Sequence, residues 1–220
     1  MKKHFFVLVI ILFPVLLFSA SNKKTNSSDL IFQVEDDEDT KNQKSNSSGP
    51  FGFKMGMTLT QITQACNNVK PRQIEGDKYY VYPAKKHPLF KDYIAYVDAS
   101  EGLYCLQAVS DDIKTNDYGT ELKSSFSKIK DRISKTYGTP RIIDKIANDS
   151  LYKDEKYWTY ALAQGARTYA AVWDSKLKDD LIRVFIYVTA KNNYKDVGWI
   201  KLEYDFSNLS IVEDSQDDVF

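Results

Sequence analysis

The 220-residue chain predicts an α+β fold, two amphipathic helices packed on antiparallel β-sheet, with room for a tandem helix-plus-sheet arrangement. Three observations lead there. Leu122, Phe126, Ile129, Ile133 and Tyr137 recur at helical spacing and form one apolar stripe over 120–137. Leu59, Ile62, Ala65, Cys66 and Val69 make a second, shorter stripe over 59–69. After each stripe come Tyr-, Val- and Ile-rich segments with no helix between them, the pattern of a meander rather than of parallel crossovers. One apolar face per helix and one per sheet must cover each other, which gives two layers.

The N-terminus reads as an export signal. Lys2 and Lys3 precede the apolar run 5–18, and Ser19-Ala20-Ser21 supplies small residues at a cut before Asn22, so 1–21 is assigned as a signal peptide. The run falls short of the about 20 apolar residues that span a bilayer. Pro14 interrupts it and no second run of its length follows, so no transmembrane segment is expected after cleavage. No cysteine stands at the cut to carry a lipid. The expected address is the periplasm or the medium.

Residues 22–49 are polar and rich in Ser, Asn and Lys, and bury too little apolar surface to offset their ordering entropy; they are assigned as a disordered linker. The acidic cluster Glu35-Asp36-Asp37-Glu38-Asp39 lacks the alternating ligands and glycine of an EF-hand loop and reads as a solvated charge run. The α+β domain is assigned to 50–212, divisible into 50–113 and 114–212, with 213–220 an acidic frayed tail.

Within the domain, 51–55 alternates like a short strand. Thr58-Leu59-Thr60-Gln61 matches a capping box with Thr58 as N-cap, and Pro71 closes the first helix. Strands are expected at 79–82, 93–97 and 103–109, the last two forming a hairpin around Glu101-Gly102. Gly138 and Pro140 end the second helix. Segments 157–162 and 168–173 read as strands flanking a turn at Gln164-Gly165, followed by strands at 181–189 and 199–206.

Charge excludes some partners. Removing Lys2 and Lys3 from the 30 basic residues leaves 28 against 30 acidic ones, a net of about −2. No clustered surplus of Lys and Arg invites nucleic acid or an anionic lipid surface. No G-x-x-x-x-G-K-[ST] or G-x-G-x-x-G occurs to cradle a phosphate, and no cofactor is called for. After cleavage His87 is the one histidine left, so a two-His zinc site is not available, and no metal ligands are assigned.

Cys66 and Cys105 either pair as a disulfide or stand as separately buried thiols. A bridge closing a loop of roughly 40 residues contributes about 4 kcal/mol in the chain-entropy model. Cys66 falls on the apolar helical face, and Cys105 shares the direction of Leu103 in its strand. No catalytic residue is assigned. The alternative functions are an envelope hydrolase acting through carboxylates or His87, and a small-ligand binder with a cavity between helix and sheet.

Tyrosine crowds the first half of the domain. Tyr79, Tyr80, Tyr82, Tyr93, Tyr96 and Tyr104 are the candidate partner-binding residues, because neighbours in a strand alternate faces and some phenols must point away from the helices. Tyrosine on an open sheet face is large, amphipathic and low in rotamer entropy, which suits protein recognition.

The stretch Phe51-Gly52-Phe53-Lys54-Met55-Gly56-Met57-Thr58 leading into a helix resembles the opening of small bacterial envelope proteins. These include the lipoprotein of the outer-membrane barrel-assembly machinery and the wider β-lactamase-inhibitor-protein-like group. Tyr137-Gly138-Thr139-Pro140 at the end of the second helix is similar to another signature of that group. The resemblance covers about a dozen residues and implies a non-catalytic envelope protein that holds another envelope protein with its sheet. The expected function is therefore an exported, non-enzymatic binder of a protein partner through an aromatic-rich sheet face.

Overall fold

The computed structural model describes residues 49–148, 150–191 and 196–217. The expected signal peptide and most of the linker lie outside the described residues, as do 218–220 of the expected tail. Nine strands form one antiparallel sheet: β1 (Arg72–Glu75), β2 (Lys78–Val81), β3 (Phe90–Asp98), β4 (Gly102–Ser110), β5 (Ile113–Lys114), β6 (Arg141–Ile146), β7 (Arg167–Trp173), β8 (Leu181–Ala190) and β9 (Val197–Phe206). Their order is β1-β2-β3-β4-β9-β8-β7-β6, with β5 also on β9, so two meanders meet where β4 pairs β9. The helices are α1 (Leu59–Ala65), α2 (Thr120–Tyr137), α3 (Trp158–Ala163) and α4 (Leu209–Asp217).

This corrects the fold class. The protein is mainly β, not an α+β pair of helices on a sheet, because the sheet dominates and the helices are short. The first helix stops four residues before the end of its expected range. Cys66 caps it, and Asn67 and Asn68 take left-handed φ of 54° and 65°, a conformation Asn tolerates. The stripe read there is half outside: Ile62 and Cys66 are buried, while Val69 is 47% exposed. The capping box does form, with Thr58 N–H donating to Gln61 Oε1 at 2.9 Å.

Other elements differ for equally local reasons. Segment 157–162, expected as a strand, lies mostly in α3, where Trp158, Ala161 and Leu162 are buried at helical spacing. A six-residue apolar run fits either period, and burial decides. Segment 51–55, also expected as a strand, opens with a 3-10 turn over Pro50–Gly52 and buries Phe53. Residues expected to fray from 213 continue α4 through Asp217.

The larger core lies between the sheet and helices α1, α2 and α3. Leu122, Phe126, Ile129 and Ile133 of α2 are all buried there, against Leu106, Ala108, Ile186, Ile200 and Leu202 of the central strands. A second, small cluster sits on the opposite face, where Leu209 and Val212 of α4 cover Tyr104, Cys105 and Tyr96. Asn208 anchors the start of α4 by donating its amide to the carbonyls of Glu101 at 2.9 Å and Leu103 at 3.2 Å.

Candidate functional site

The face of the sheet turned away from α1, α2 and α3 is built by alternation and register. Tyr96 on β3 pairs with Cys105 on β4, and Cys105 and Gln107 pair with Asp205 and Glu203 on β9. Across β8 and β9, Arg183 opposes Asp205, Phe185 opposes Glu203, and Tyr187 opposes Lys201. Tyr96, Phe185, Tyr187, Trp199 and Lys201 are each partly exposed. Among the described helices, only α4 contributes to the cluster on this face.

A bulge decides which residues arrive there. Tyr96 pairs with Cys105 and Val97 with Leu103, so Tyr104 has no opposite residue and the alternation slips by one. Leu103 therefore packs into the larger core while Cys105 joins the opposite cluster, which corrects the expectation that the two share a direction. Both cysteines are free buried thiols, Cys66 in the larger core and Cys105 in the smaller one. The sheet stands between them, so of the two alternatives the structure has separately buried thiols.

Polar groups on this face form a network. Arg183 Nε donates to Asp205 Oδ2 at 2.5 Å, and its Nη2 reaches Glu203 Oε1 at 3.5 Å. Gln107 Nε2 donates to Glu203 Oε2 at 2.6 Å. Burial, with Asp205 beside it, raises the Glu203 carboxyl above its ordinary pKa; burial raises Asp205 too, against the pull of Arg183. Burial lowers the Lys201 ammonium and raises the Tyr96 and Tyr187 phenols. Burial also holds the Cys105 thiol in its neutral form, with Asp205 and Glu203 acting the same way.

Cys105, Glu203 and Asp205 hold their donor atoms within 4.8 Å of one another, near enough for a shared cation. Both carboxylates are already engaged by the fixed positive charge of Arg183. The group is an ion-pair network with a protonated thiol beside it.

Cations lie along the aromatic rings of the same face. The Arg72 guanidinium sits 4.6 Å from the Tyr80 ring centroid, Lys78 Nζ 5.6 Å from Tyr96, and Lys201 Nζ 5.8 Å from Tyr187. Such contacts contribute about 0.5–1 kcal/mol at exposed positions. They also hold flexible side chains over the rings.

The six tyrosines read from the sequence divide between the faces. Tyr80 and Tyr96 lie on the open face, and Tyr104 is buried under α4 with its phenol bonded to Asp77. Tyr93 is 2% exposed in the larger core and Tyr79 packs against it, so these two are correctly strand residues but point to the helix side. Tyr82 is exposed just past β2. Phe185, Tyr187, Trp199 and Lys201 were missed. Their alternation at 181–189 and 199–206 was legible, but which parity faced the helices was not.

His87 lies on the helix side. Its Nε2 is 2.9 Å from Arg132 Nη1 and its Nδ1 accepts the Leu89 N–H at 3.2 Å. Burial and the Arg132 charge hold its pKa below the ordinary histidine value, and no carboxylate hydrogen-bonds to it among the described residues. No described helix is long and apolar enough to cross a membrane. No protein-family model, curated protein or solved structure matches the chain.

Proposed function

We propose that this is an exported, non-enzymatic protein that binds a protein partner, in keeping with the envelope-protein resemblance, through the face of its sheet built by β2, β3, β4, β9 and β8. The single observation that carries the reading is the composition of that face. Tyr80, Tyr96, Trp199, Phe185 and Tyr187 lie beside Lys78, Lys201 and Arg72 on a surface that α1, α2 and α3 do not cover. A sheet face facing water usually alternates toward plain polar residues. Aromatic surface with cations laid along it suits an interface, where Tyr, Trp and Arg dominate binding energy.

The charge on the face points to a partner of matching chemistry. Arg183 pairs with both Glu203 and Asp205, whereas Lys78, Lys201 and Arg72 make no salt bridge among the described residues. The partner surface should therefore present acidic side chains around an apolar centre. The test is photo-crosslinking from the native envelope, with the reactive residue placed at Tyr187 or Trp199 and, as control, at exposed Lys128 on α2. One discrete crosslinked species from the first two positions and none from the third is the expected result. Crosslinks from Lys128 alone would overturn the assignment of the face.

A further inference from the structure

A cavity of about 330 Å³ opens on the helix side, where α2, the 3-10 turn at Pro50–Gly52, the His87 loop and β9 converge. Its walls are mixed in a way a core void is not. Phe51, Phe90, Ile129 and Leu202 supply apolar surface, while Arg132 and His87 bring polar nitrogens to its lining.

The contact between His87 and Arg132 is short of an acceptor. A guanidinium only donates, and Arg132 Nη1 stands 2.9 Å from His87 Nε2. The other ring nitrogen, Nδ1, already receives the Leu89 N–H. A neutral imidazole carries one N–H, so either ring tautomer sets one N–H against another donor. A protonated ring sets both. An oxygen bearing negative charge, placed beside Nε2, relieves the conflict by accepting from His87 Nε2–H and from Arg132 together.

Two further observations agree. Tyr204 is 7% exposed, lines the cavity, and has no hydrogen-bond partner for its phenol among the described residues. Phe51 holds φ at +54° although it is not glycine, and its ring meets those of Phe90 at 6.1 Å and Tyr204 at 6.0 Å, both nearly edge-on. Strain of that kind gathers at ligand clamps. Lys178 adds positive charge to the rim, and Asp179, also on the rim, is turned to the Tyr137 phenol with Oδ2 3.5 Å away.

We propose that this cavity binds a small amphipathic anion, its oxyanion seated between Arg132 and His87 and its apolar body against Phe51, Phe90, Ile129 and Leu202. A carboxylate and a phosphate monoester share that chemistry. Calorimetric titration of the full chain with octanoate, octyl phosphate, octanol and inorganic phosphate separates the sources. Saturable binding is expected for at least one of the two amphiphilic anions, the tighter naming the head group, with octanol and inorganic phosphate at least about tenfold weaker.

Arg132 is exposed on α2, so Arg132→Ala should keep the fold by circular dichroism and weaken the anion by about tenfold or more, with partial recovery in Arg132→Lys. The bound anion should also raise the His87 pKa, read from its ring proton shifts across pH. No saturable binding of either amphiphilic anion at millimolar concentration, octanol binding as tightly as the tighter of the two anions, or an affinity unchanged in Arg132→Ala would each overturn the site.

Discussion

Arg183 and Asp205 oppose each other across β8 and β9, guanidinium to carboxylate at 2.5 Å, with Asp205 2% exposed and Arg183 reaching half into water. The asymmetry sets what each substitution does. Removing Arg183 strands a buried carboxylate beside Glu203, whereas removing the charge of Asp205 leaves an arginine that water can solvate. Arg183→Ala should destabilise by about 2–3 kcal/mol, below the usual 3–5 for breaking a buried pair because one partner is half solvated. Asp205→Asn should cost less than half as much. Urea unfolding midpoints check the order, and an Arg183→Ala effect under about 0.5 kcal/mol, the scale of surface pairs, would show the network to be ornamental.

Glu203 gives that network a pH dependence of unusual sign. Its folded pKa is raised by burial and by Asp205, against an unfolded value of about 4.3. Between those two values the folded state binds more protons than the unfolded one. Stability from this group is therefore greatest at acid pH and falls as pH rises through the window. The stability difference between wild type and Glu203→Gln should shrink or reverse from pH 4.5 to pH 7.5. A difference that grows with pH would contradict the burial of this carboxyl.

Gly119 fixes how α2 meets α3. It precedes α2 at a left-handed φ of 70°, and a Cβ added there would overlap the six-membered ring of Trp158, itself fully buried. Gly119→Ala combines backbone strain with overpacking and should cost about 3 kcal/mol or more. Thermal melting of the purified variant measures it. A melting point within a few degrees of wild type would mean that Trp158 moves freely aside.

The strands of the central sheet were legible from their Tyr-, Val- and Ile-rich composition and, in β3, β8 and β9, from alternation over seven or more residues. The same alternation left the faces open. In β4 the parity inverts at Tyr104, and nothing in Leu103-Tyr104-Cys105-Leu106 marks a bulge, so Cys105 was placed with Leu103. The edge strands β1 and β6 escaped notice because Arg72–Glu75 is wholly exposed and Arg141–Ile146 is mostly so, leaving little apolar pattern to read. α2 was legible to the residue, its stripe unbroken over five turns and its exit marked by Gly138 at φ 82°. The site residues on β8 and β9 were hidden by a different limit. Trp199 and Tyr187 look like ordinary strand composition until the sheet order sets them beside Lys201.

The C-terminal helix makes the face testable through chemistry at Cys105. Leu209 and Val212 of α4 close the small cluster over Tyr104 and Cys105, and Asn208 ties the helix to the β3–β4 hairpin. With α4 in place, both thiols should resist a maleimide in the native protein, and two should react per chain once it is unfolded without reductant. Ending the chain after Ser207 removes the cover of Cys105 but leaves the larger core, and with it Cys66, intact. One thiol should then react in the folded truncated protein, mapping to Cys105 by peptide mass. Burial within the sheet and its acidic neighbours raise its pKa, so the rate should rise steeply with pH above 8. Equal reactivity of Cys66 and Cys105 would mean that α4 holds the whole sheet together rather than one end of its open face.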